Sequence, residues 1–75
     1  MPHFHFHIQE NGRLIRDDEG QELDDAGIAR KEAIATGASI ARDAFIAGSA
    51  RRVVVDVHEN GRHFLKVSIT LDVEE

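Results

Sequence analysis

The tetrapeptide Glu-Asn-Gly-Arg stands twice in this chain, at Glu10-Asn11-Gly12-Arg13 and at Glu59-Asn60-Gly61-Arg62. Each copy lies between short runs of strand character. Asn-Gly in that setting is a strong local hairpin signal. Before the first copy, Phe4, Phe6 and Ile8 alternate with His3, His5 and His7, and Arg13 to Arg16 returns as a short edge strand. Before the second copy, Val53, Val55 and Val57 mark one face; after it, Leu65, Val67, Ile69 and Leu71 do the same. Alternation of this kind gives each strand one apolar face. Asn11, Gly12, Asn60 and Gly61 are therefore assigned to structural turns.

Turn length decides which side chains share a face. A two-residue Asn60-Gly61 loop sets Val55 opposite Lys66 and separates the two apolar sets. A three-residue loop, Glu59-Asn60-Gly61, pairs Val55 with Leu65 and Val53 with Val67, with Gly in the left-handed position of a G1 bulge. The same logic pairs Ile8 with Leu14 in the first hairpin. This parity sends Ile15, Val54 and Phe64 to the outward face, among His5, His7, Asp56 and Lys66. It places His63 on the core side, opposite Val57.

Between the hairpins, Asp24 to Gly48 reads as one long helix. Asp24 or Asp25 serves as the N-cap, and Gly48-Ser49 is the stop. Ala26, Ala29, Ala33, Gly37, Ile40, Ala41, Ala44 and Ala47 share a side at a 3.6-residue period. A stripe this small lets the helix lie close to the sheet. Gly37 is unfavourable in a helix interior and marks the expected place for a kink. The order is β-β-α-β-β. The fold expected is a single α+β domain over residues 1–75, a four-stranded antiparallel sheet of two hairpins with one helix on one face. Pairing the first strand with the third keeps all neighbours antiparallel.

Charge and composition narrow the function. The net charge is −5, the wrong sign for a phosphate backbone, so nucleic acid is not an expected partner. The chain has no Cys, hence no disulfide or thiolate chemistry, which suits a reducing compartment. Met1 to Gln9 contains no continuous apolar run, so neither a signal peptide nor a membrane span is expected, and cytoplasm is the default. Ser39, Ser49, Ser68, Thr36 and Thr70 are the available nucleophiles, none in a triad-like setting. Asp17-Asp18-Glu19-Gly20 reads as a solvated turn without the spacing of a calcium loop. No enzyme and no cofactor are implied.

Two surface features remain. His3, His5 and His7 project from one face about 7 Å apart, so two of them can approach one metal ion if a neighbouring strand adds a ligand. His5, His7 and His58 form the candidate set, with Asp56 beside them. The second feature is the apolar content of the outward face, where Ile15, Val54 and Phe64 form a candidate interface.

The opening Met1-Pro2-His3-Phe4-His5-Phe6-His7, the stretch Leu14-Ile15-Arg16-Asp17-Asp18-Glu19-Gly20-Gln21-Glu22-Leu23, the Ala-rich helix and the second hairpin resemble a family of short bacterial proteins. That family is known only as a domain of unknown function and opens Met-Pro-x-aromatic-aromatic-Phe-His. His7 matches its usual His, whereas His5 stands where an aromatic is usual. The resemblance implies no activity, cofactor or catalytic residue. The β-β-α order with an acidic linker is also similar to the partner-binding domain of HicB-type antitoxins, in element order alone. The leading expectation is a non-enzymatic interaction module, homodimeric through the open sheet face. An antitoxin-like or regulatory protein with a separate protein partner comes next, followed by a metal-binding protein.

Overall fold

The computed structural model describes all residues, Met1–Glu75. Its elements are β1 (His3–Glu10), β2 (Arg13–Ile15), β3 (Gln21–Glu22), α1 (Ala26–Ala47), β4 (Arg52–Glu59) and β5 (Arg62–Thr70). The sheet is antiparallel, in the order β2-β1-β4-β5. One strand is additional to the four expected: β3 pairs with the start of β1, His3 opposite Glu22 and Phe4 opposite Gln21. β2 and β3 thus share one edge of β1, end to end.

α1 covers one face, packing on β4, β5 and β1. Asp25 is its N-cap, accepting from the Ile28 N–H at 2.9 Å, and Gly48 closes it in the left-handed conformation. The buried stripe is Ala29, Ala33, Gly37, Ala41 and Ala44. α1 runs unbroken through Gly37, where a kink was expected. Gly37 instead marks a close approach: a Cβ there would lie 3.0 Å from Val55 Cγ2 and 3.1 Å from Ile69 Cδ1. Beneath the helix, Phe4, Val53, Val55 and Val57 are fully buried, each contributing about 1.5–3 kcal/mol by its transfer from water.

Both hairpin registers differ from the three-residue expectation. In each, the loop is two residues long, and both loop residues have positive φ: Asn11 at 49° and Gly12 at 78°, Asn60 at 51° and Gly61 at 84°. These are type I′ turns, whose twist matches that of the flanking strands. In the first hairpin Ile8 therefore faces Ile15, and Leu14 faces Gln9. Ile15 belongs to the helix side, and Leu14 replaces it on the open face. In the second hairpin Glu59 faces Arg62, His58 faces His63, and Val57 faces Leu65. Phe64 is the extra residue of a β-bulge. The bulge restores the apolar alignment, setting Val55 opposite Val67 and Val53 opposite Ile69.

That bulge corrects two further assignments. Phe64 packs on the core side, its ring centroid 5.9 Å from that of Phe4. His63, opposite His58, comes to the open face. No helix is long and apolar enough to cross a membrane.

Candidate functional site

β1 and β4 are the two central strands, and their register sets His5 opposite His58 and His7 opposite Asp56. Side chains directly opposite one another share a face. The bulge adds His63 from β5. All five histidines of the chain consequently form one continuous row on the open face. Ring centroids are 4.9 Å apart for His3 and His5, 6.1 Å for His5 and His7, 5.1 Å for His7 and His58, and 5.9 Å for His58 and His63.

The row divides into two parts by its hydrogen bonds. At one end, His3 and His7 hold the segment between β2 and β3. The Asp17 N–H donates to His7 Nδ1 at 3.1 Å, and His3 Nε2 lies 2.8 Å from the Glu19 carbonyl. A neutral imidazole has one lone pair, so His7 carries its proton on Nε2 and its accepting nitrogen is taken. Asp17 itself fills the gap in the β1 edge, where neither β2 nor β3 reaches. Its Oδ2 accepts from the Phe6 N–H at 3.0 Å and its Oδ1 from the Gly20 N–H at 2.9 Å. Partial burial pushes the Asp17 carboxyl up. The backbone N–H groups of Gly20 and Phe6, the charge of His5 and the backbone at Glu19 outweigh it and hold the group below its ordinary value. Asp17 is thus a structural cap on the sheet edge, not a solvated turn residue. Gly20 lies so close to β1 that a Cβ there would be 2.6 Å from His3 Nε2 and 2.7 Å from the Phe4 carbonyl oxygen.

At the other end, three side chains converge. Asp56 Oδ1 is 3.1 Å from His63 Nδ1 and 3.6 Å from His58 Nε2. One ligating atom from each of the three lies within 4.8 Å of the others. His58 and Asp56 are half-buried, whereas His63 is exposed. A shallow depression of about 260 Å³, lined by His7, Gln9, Leu14, Arg16, Asp56 and His58, adjoins this cluster.

Of the candidate metal set, the structure brings His58 into the cluster. His7 stands beside it with its lone pair engaged, and His5 stacks on His7. His63 and Asp56 complete the group instead. The sequence signal for His63 was the pair Phe64-Leu65: two consecutive large apolar residues reach one core only through a bulge, which flips the parity of everything before it.

The candidate interface does not assemble. Ile15 is on the helix side, Phe64 is against Phe4, and Val54, though on the open face, is only 7% exposed. Leu14, at 55% exposed, is the prominent apolar residue there.

No curated protein and no solved structure matches the chain. One family model does, over residues 3–70, and it spans every strand and the helix. The chain belongs to that family, described as Domain of unknown function (DUF6894).

Proposed function

We propose that this domain is a non-enzymatic interaction module whose open sheet face meets a second copy of the chain. The observation that carries this reading is the lone helix: it covers one face of the sheet and leaves the other without a layer. On that open face, Leu14, Gln9, Val54 and Ser68 follow one another across four strands. Asp56 and Lys66 stand opposite each other in the register. A two-fold related copy can set each of these charges over its opposite, as a self-complementary interface requires. The hydroxyls nearest to hand support a non-catalytic reading. Ser68 accepts from Arg52 at 3.4 Å, and Ser49 donates to the Ala44 carbonyl at 3.4 Å.

Light scattering over a concentration series tests the proposal. A mass of twice 8.3 kDa is expected. Lys66→Asp should give a monomer, and adding Asp56→Lys to it should restore the dimer, since the charges are then exchanged in both copies. A mass of 8.3 kDa at every concentration removes self-association. A larger mass only in cell extract replaces the second copy by another protein.

A further inference from the structure

We propose that Asp56, His58 and His63 form a binding site for one divalent transition-metal ion, with zinc as the best-suited occupant. This goes beyond self-association; the two readings share Asp56 and the open face and are tested separately.

The geometry is close to a coordination sphere. In tetrahedral zinc sites with metal–ligand bonds near 2.0–2.1 Å, neighbouring ligand atoms are about 3.3 Å apart. Asp56 Oδ1 already lies 3.1 Å from His63 Nδ1 and 3.6 Å from His58 Nε2. The third edge is within 4.8 Å, and His63 is exposed enough to swing inward. Two imidazoles and one carboxylate suit zinc better than magnesium or calcium, which prefer oxygen ligands.

The backbone makes the site rigid where it matters. Asp56 and His58 alternate on β4, a central strand hydrogen-bonded on both sides, so their Cα positions are fixed. His63 arrives from β5 only because of the Phe64 bulge. The Asp56 carboxylate accepts from His63 Nδ1 at 3.1 Å. A metal bound at Nδ1 takes the place of that proton, which the neutral imidazole then carries on Nε2.

The histidine row also supplies internal controls. His3 and His7 share the face and the residue type, but each has one ring nitrogen bonded to the segment between β2 and β3, and neither belongs to the Asp56, His58 and His63 cluster. A built site and a diffuse affinity of many histidines therefore differ in outcome.

The test is calorimetric titration of untagged, chelator-treated full-length protein with zinc chloride, and with magnesium chloride as the hard-cation arm. One zinc per chain and no magnesium binding are expected. His58→Ala, His63→Ala and Asp56→Ala should each weaken zinc binding at least about tenfold, the least that removing even an outer-shell partner costs. His3→Ala and His7→Ala should leave it unchanged, with circular dichroism confirming that each variant is folded. No zinc binding, or stoichiometry above one with all histidine variants equally weakened, overturns the site. Light scattering of His63→Ala separates this proposal from self-association, because that variant keeps both Asp56 and Lys66.

Discussion

The ring of Phe64 rests against that of Phe4, with centroids 5.9 Å apart, and this contact anchors the bulge that turns His63 to the open face. Phe64→Ala should destabilise the fold by roughly 2 kcal/mol, less than the 3–5 kcal/mol typical of a fully buried Phe, because Phe64 is half-buried. Urea denaturation measures it. A change below about 0.5 kcal/mol, the usual range for surface substitutions, would mean that Phe64 faces solvent after all.

Gly37→Ala tests the helix–sheet contact. In an open helix this change stabilises by about 1 kcal/mol. Here the new methyl meets Val55 Cγ2 at 3.0 Å, and Val55 is fully buried. Overpacking of this kind costs about 1–3 kcal/mol, so the net effect should be destabilising. Combining it with Val55→Ala should cost less than the two single changes added together. Stabilisation by Gly37→Ala alone would show that the layers can move apart freely.

The second turn should discriminate among substitutions by their tolerance of positive φ. Gly61 sits at 84°, where a Cβ costs roughly 1–2 kcal/mol. Gly61→Asn should be the mildest change, Gly61→Ala intermediate and Gly61→Val the worst, because β-branching narrows the backbone choice further. Thermal melts of the three variants give the order. Equal melting temperatures would contradict the type I′ assignment.

Acid should release the cap on the edge of β1. The Asp17 carboxyl titrates below its ordinary 3.8 in the folded protein, so the unfolded chain binds the proton first. Its contribution to stability is complete above about 3.8 and is lost as pH falls through the lower folded value. Asp17→Asn should lower stability at neutral pH, because an amide has a single acceptor oxygen for the N–H groups of Phe6 and Gly20. It should also flatten the dependence of stability on pH in that acidic window. Urea midpoints from pH 2 to 6, for both proteins, test the claim; parallel curves would reject it.

The larger features were legible in the sequence because they rest on local periodicity. Alternating Phe4, Phe6 and Ile8, the Asn-Gly pairs and the alanine stripe specify strands, turns and a helix without reference to distant residues. The Asp25 and Gly48 caps are equally local. What escaped were decisions made across the sheet. Whether parity is restored by a longer loop or by a bulge depends on how Phe64 fits against Phe4, sixty positions away. Asp17 looked like any acidic turn residue, since its partners lie on β1 and at Gly20. The site followed the same division. Asp56 and His58 were visible from alternation on one strand, but His63 required the bulge.

The order β2-β1-β4-β5 has a kinetic consequence. β1 is an interior strand, and its partner β4 lies about fifty positions further along the chain, as with Phe6 and Val57. The first hairpin alone cannot bury Phe4 and Phe6. Those rings stay wet, and the free edge of β1 stays available for wrong pairing, until the last hairpin has been synthesised and docks. Such long-range closure slows folding relative to helical domains of the same size.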